Sequence, residues 1–264
     1  MEGDRLKTVL LDLEQTLLSF IAKHKINHAE YRLATDLIIA TVKEGEESLL
    51  FDVFFEAAAT NIDNLGRPAG GEAIEGPFFF PGAPMLDNPG HLPHRPDEAG
   101  ETLFFNGNVT TADGSPIENA EVDMWQADAD GCYSFIHPGV PDWNLRGRLK
   151  TVADGRYEFR TIVPPPYEIP KHGSTGRVLT ALGRHFFRPA RLHVKIRHEK
   201  YGEMTSQLYF QGGEYLDNDV ANAVRGDLVT PLVHQTGPAE IAARGLNAPY
   251  YEVSYDFVFE SQEN

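Results

Sequence analysis

Between Thr102 and Phe259 the chain alternates apolar and polar residues in short runs, and nothing else in it restricts the fold so strongly. LFFNGNVTTADG, AEVDMWQAD, RYEFRTIV, ARLHVKIRH, TSQLYF and YEVSYDFVF each fit a strand buried on one face. ADG stands at 112–114 and again at 153–155, both times between such runs, where a tight turn is needed. Strands this short and this closely spaced predict a mainly β fold, an antiparallel β-sandwich. No self-similarity recurs with the period of a solenoid or a propeller.

The N-terminal part reads as helix. Leu6, Leu10, Leu13, Leu17 and Phe20 recur at three- and four-residue steps and form one apolar stripe. Asn27 predicts an N-cap for a second helix from about His28, which carries Tyr31, Leu33, Leu37, Ile38 and Val42 as far as the breaker Gly45. A third helix is expected from Glu46 to about Asn61, with Leu49, Leu50, Val53, Phe54 and Ala57 at helical spacing. These stripes are wide for isolated helices, so they must bury against each other, the β region or another subunit.

The intervening segment is dense in glycine and proline: GRPAGG, FFFPGAP and DNPGHLPHRPDEAG. Leaving IEGPFFFPGAP in water would be costly, so this segment is expected to wrap the β region as an ordered linker. Three regions follow: residues 1–62 helical, 63–101 a Gly/Pro-rich linker, and 102–264 the β domain.

A formal charge of −16 argues against nucleic acid and anionic membrane surfaces as partners. It also means that an anionic substrate would need a local basic pocket. Cys132 is the single cysteine, so no intrachain disulfide forms and a reducing cytoplasm is the expected location. No apolar run approaches the length of a membrane span, and the N-terminus has no cleavable-signal pattern.

Three residues carry the chemistry: Tyr133 in DGCYS, Tyr167 in PPPYEIP and His193 at the end of RPARLH. Alone, each would ordinarily be a packed aromatic or a satisfied core histidine. Together, phenolate and imidazole form a donor set suited to Fe(III), which removes the phenol proton. Cys132 points to the other side of an extended segment from Tyr133 and is not counted as a ligand.

The segments around these residues, with LLFDVFFE, EAIEGPFFFPGAP, WNLRG, QLYFQGGE and YDFVF, resemble the intradiol ring-cleavage dioxygenases. The likeness covers nearly the whole chain and is closest to the catechol and chlorocatechol branch. It implies a helical N-terminal dimerisation region, with phospholipid at the helical interface, joined to a β-sandwich of mixed topology. It further implies a mononuclear non-haem Fe(III) held by Tyr133, Tyr167 and two histidines, and cleavage of a catechol by O2 to a cis,cis-muconate. Arg188 and Gln207 match the pair that flanks the bound ring in that family. Leu49, Asp52, Val53, Ile74, Pro77, Phe78 and Val224 match positions that line the ring pocket, and their ordinary reading is core packing.

One position departs from the pattern. The family reads RPAHxH where this chain reads RPARLH, so Arg191 stands at the fourth protein-ligand position and His193 is retained. A guanidinium stays protonated and cannot ligate a metal. The readings that remain open are a catechol or substituted-catechol dioxygenase weakened by Arg191, a hydroxyquinol dioxygenase of the same family, and a catalytically silent dimeric scaffold.

Overall fold

A computed structural model describes residues 3–65 and 71–259 of the 264. GRPAGG therefore lies outside the described residues except for Gly71, as do the outer ends of the first and third predicted regions. The chain divides into two compact units, Met1–Glu47 and Ser48–Asn264.

The first unit holds two helices, α1 (Gly3–His24) and α2 (His28–Glu44). The Asn27 side chain accepts from the backbone N–H of Ala29 and Glu30, and Glu30 reaches back to the Asn27 N–H, which completes a capping box. Gly45 ends α2 in the left-handed conformation, at φ 70°. No residue of α1 is buried, and Leu6, Leu10, Leu13, Leu17 and Phe20 all stand exposed along it.

The third predicted helix opens the second unit and is not continuous. Glu47–Phe51 is α-helical, Asp52–Glu56 widens into a π turn, and Ala57–Asp63 resumes the α-helix. Such a turn is a one-residue excess within a helix and commonly sits at functional sites.

Two sheets share one core in this unit. The first runs Gly90–His91, Arg156–Ile162, Thr102–Thr111, Tyr250–Ser254, Val233–Gln235, with Phe257–Phe259 also on Thr102–Thr111. The second runs Val229–Thr230, Gly202–Phe210, Arg191–His198, Glu121–Trp125, Arg146–Lys150. Phe105, Phe159 and Val253 of the first sheet are buried in the same cluster as Val122, Met124, Leu149, Val194 and Leu208 of the second.

The antiparallel sandwich read from the strand pattern needs correcting, because both sheets are mixed, as the family resemblance implies. Tyr250–Ser254 and Phe257–Phe259 both lie parallel to Thr102–Thr111, and Val229–Thr230 lies parallel to Gly202–Phe210. The physical reason is connection length. A hairpin turn enforces antiparallel pairing, whereas these segments reach their partners through long crossovers that permit either direction.

The second sheet positions the site. Its register sets Trp125 opposite His193 and His193 opposite Gln207, with Arg191 opposite Tyr209 one step along. Arg191 and His193 are two apart on one strand, so their side chains leave the same face.

Candidate functional site

Three separate elements deliver the donors. His193 comes from the strand Arg191–His198 and stacks on Trp125, ring centroids 4.9 Å apart at 17°. Tyr133 comes from the loop after Glu121–Trp125. There the Asp128 carboxylate accepts from the backbone N–H of Asp130 and Cys132 and folds the chain back, while the Tyr133 N–H donates to His137 Nδ1. Gly131 is required in that loop: its φ is +80°, and a Cβ there would stand 3.0 Å from the Tyr167 Cβ. Tyr167 follows the extended PPP segment on a two-residue strand, where it pairs with Arg188.

The three side chains meet in a buried place. Tyr133, Tyr167 and His193 are 1%, 5% and 2% exposed, and the Tyr133 hydroxyl lies 3.3 Å from His193 Nε2. The Tyr133 and Tyr167 ring centroids are 5.2 Å apart. Burial first, and then the neighbouring Tyr167, holds the Tyr133 phenol well above its ordinary pKa. Burial, followed by the Arg191, Arg188 and Arg146 guanidinium groups, holds His193 well below its own. Burial and these three charges favour the neutral imidazole.

Arg191 is the fourth member of the cluster and is itself buried, 2% exposed. Its Nε donates to His193 Nε2 at 3.2 Å, its Nη1 to the Pro189 carbonyl at 3.0 Å, and its Nη2 to the Tyr167 hydroxyl. Its carbon Cζ lies 4.6 Å from the centre of the Tyr167 ring. These hydrogen-bond acceptors are an imidazole, a carbonyl and a phenol, none of them a carboxylate. With Nε2 accepting, the imidazole proton falls on Nδ1, a buried atom with no hydrogen-bond partner among the described residues.

These residues can be tested against a ferric ion. Two phenol oxygens and one imidazole nitrogen, buried together at ligand-to-ligand spacing, are the right donors. They fit as three ligands. The fourth residue cannot ligate, and its guanidinium is bonded to two of the three atoms the ion would need.

Beside this cluster opens a narrow cleft lined by Leu49, Asp52, Val53, Ile74, Pro77 and Phe78, six of the seven residues expected there. Glu56, Gly76, Ile169, Ala221, Tyr167 and Arg188 complete the lining, so the cleft reaches the donor cluster through Tyr167. The seventh expected residue, Val224, packs against the core of the two sheets instead.

Arg188 is buried and doubly bonded to Asp219, Nε to Oδ1 and Nη2 to Oδ2, both at 3.0 Å. Burial works against each charge, but the pairing outweighs it. The guanidinium is held well above its usual pKa and the carboxyl below its own. Gln207 is fully buried; its Nε2 donates to the Ile74 carbonyl and its Oε1 accepts from the Tyr209 hydroxyl at 2.8 Å. It thus fixes a wall of the cleft.

Sequence reasoning missed several of these groups. Asp219 lies 31 residues from Arg188, and nothing in DNDVA marks it as a counter-ion. Arg146 sits buried in WNLRG, its Nε on the Ser134 hydroxyl at 2.6 Å and its Cζ 6.0 Å from the Tyr133 ring centre. Glu56 was not singled out, although it lies four residues after Asp52 and three after Val53, on the helical face that these lining residues share. Cys132 is half-buried, its sulfur 4.0 Å from the Asp130 carbonyl oxygen.

A narrow cleft flanked by Arg188 and set beside two phenols and an imidazole fits a dioxygenase. Comparison with known proteins gives this class its family. A family model described as "Dioxygenase" matches residues 74–261. The chlorocatechol 1,2-dioxygenase of Rhodococcus opacus is 40% identical over 238 residues, 88% of this chain and 91% of that protein. The 6-chlorohydroxyquinol 1,2-dioxygenase of Cupriavidus pinatubonensis is 35% identical over 265 residues, 96% of this chain and 90% of that protein. Among solved structures, 3-chlorocatechol 1,2-dioxygenase from Rhodococcus opacus 1CP superposes with a TM-score of 0.90, covering 98% of this chain and all of that one at 40% identity. The chain belongs to the intradiol ring-cleavage dioxygenase family.

Proposed function

We propose that this protein cleaves a catechol-type ring between its two hydroxylated carbons, both atoms of O2 entering a cis,cis-muconate. Tyr133, Tyr167 and His193 would hold a mononuclear non-haem Fe(III), which when bound acts as the Lewis acid that makes the ring reactive toward O2. The observation that supports this most is the convergence of those three buried donors beside a narrow, largely apolar cleft.

The chain's own residues supply orientation and charge. Val53, Ile74, Pro77 and Phe78 flank the ring and keep water from it. Arg188, fixed by Asp219 and therefore unable to swing, presents positive charge to the ring where negative charge develops. Gln207 holds the Ile74 wall in place. Arg191 weakens the activity, because its guanidinium and the ion compete for His193 Nε2 and the Tyr167 oxygen.

Catechol or a substituted catechol is the substrate class, supported by likeness to the Rhodococcus relative. The second reading, a hydroxyquinol, is favoured by Asp52 and Glu56 on the cleft wall and by the Cupriavidus relative. The exposed apolar residues of α1 support a homodimer built through the helical region, with a phospholipid held there.

Elemental analysis for iron, a visible spectrum and ultraviolet detection of muconate test the proposal together. Tyrosinate-to-Fe(III) charge transfer colours the protein red-brown, and catechol with O2 yields muconate. A colourless protein that takes up no iron from excess and forms no muconate is instead the silent scaffold.

A further inference from the structure

The cleft wall is apolar except on one side, where the π turn Asp52–Glu56 brings two carboxyl groups to it and Arg188 faces them. Two of these three groups are already engaged. Ser48 Oγ donates to Asp52 Oδ2 at 2.7 Å, and Asp219 holds Arg188 through both of its oxygens. Glu56 is different: its Oε2 is buried and has no hydrogen-bond partner among the described residues. A carboxyl oxygen withdrawn from water without a partner is costly, and a ligand that supplies one recovers that cost.

We infer that Glu56 is a specificity-determining residue, which takes a hydroxyl substituent on the ring edge and discriminates against a halogen at the same place. As a carboxylate, Oε2 accepts from a hydroxyl. As a carboxylic acid it donates to one. Burial, and after it the negative charge of Asp52, raises the Glu56 pKa against the backbone N–H groups of Glu75 and Gly76 and the charge of Arg188. A hydroxyl satisfies either form, because it both donates and accepts. A chloro substituent donates to neither and sets its own electron density against the carboxylate.

The location supports selection over a mere packing role. Leu49, Asp52, Val53 and Glu56 line the cleft together at the three- and four-residue steps of one helical face, and the other polar side chains there, Arg188 and Tyr167, are already bonded to Asp219 and Arg191. Glu56 Oε2 is thus the buried, unpartnered side-chain oxygen on the described wall.

This inference rests on the ring-binding reading above, and its test separates the two. Catechol, 1,2,4-trihydroxybenzene and 4-chlorocatechol are titrated anaerobically into the wild-type protein, Glu56→Leu and Glu56→Gln. The quantity read is the ratio of trihydroxybenzene to chlorocatechol affinity within each protein, so that any general loss of binding cancels. The wild-type ratio is expected to favour the hydroxyl by about tenfold or more. Glu56→Leu should reverse the preference. Glu56→Gln should lower the ratio severalfold without reversing it, because an amide still offers both a donor and an acceptor. An unchanged ratio in Glu56→Gln, or in a folded Glu56→Leu, overturns the inference and leaves the ring-binding reading standing. Binding of none of the three compounds, by the wild type or by Arg191→His, overturns both.

Discussion

Replacing Arg191 by histidine tests the site most directly. The wild-type guanidinium is hydrogen-bonded to the atoms that would ligate iron, its Nε only 3.2 Å from His193 Nε2. An ion on that nitrogen would lie roughly 4 Å from the guanidinium. Fe(III) with two phenolates carries a net charge near +1, so at an effective dielectric of about 20 the repulsion is on the order of 4 kcal/mol. At about 1.4 kcal/mol per decade that is roughly a thousandfold in affinity, before any gain from a new imidazole bond. Arg191→His removes the repulsion and frees two lone pairs. Iron content after reconstitution, the visible charge-transfer band and muconate formation should all rise, with affinity gaining about three decades or more. Arg191→Met separates charge from ligation: it should recover part of the iron affinity and little of the turnover. Equal iron affinity in the wild type and Arg191→His would refute the reasoning, because Arg191 would then not compete for the site.

Two further outcomes follow from buried charge elsewhere. Asp219→Ala strips the partner from a guanidinium that is 5% exposed, so unfolding free energy should fall by about 3–5 kcal/mol, read by chemical denaturation. Asp123 has its carboxyl pushed up to about 6, by burial first, with Arg197 opposing and Glu121 adding. The folded state therefore binds more protons than the unfolded state between roughly pH 4 and 6, and stability falls as pH rises through that window. Asp123→Asn should then stabilise the protein by up to about 3 kcal/mol at pH 8 and leave it unchanged at pH 4 or below. The same gain at both pH values would assign the effect to packing.

The fold was legible where one physical signal dominated. Alternation found Thr102–Thr111, Arg156–Ile162, Arg191–His198 and Gly202–Phe210, and the Asn27 cap and Gly45 stop bounded α2. Arg146–Lys150 escaped because it reads RGRLK: two arginines and a glycine disguise a strand in which Arg146, Gly147 and Leu149 are buried. Direction of pairing was out of reach, since parallel and antiparallel strands share the same alternation. At the site, the motifs located Tyr133, Tyr167 and His193 because each sits in a distinctive short segment. Asp219 supports Arg188 from 31 residues along the chain and stands in no such segment, whereas Tyr209, which also supports it, lies in QLYFQGGE but carries no mark of that role.

The π turn at Asp52–Glu56 carries a consequence for how this cleft can change over generations. Point substitutions there alter one side chain at a time. Loss of a single codon does something else, since an α-helix turns by about 100° per residue and removing the surplus residue restores the regular winding. Such a deletion within the turn would shorten the spacing between Asp52 and Glu56 from four residues to three, and so change the separation of the two carboxyl groups on the cleft wall, while the helix on either side keeps its winding.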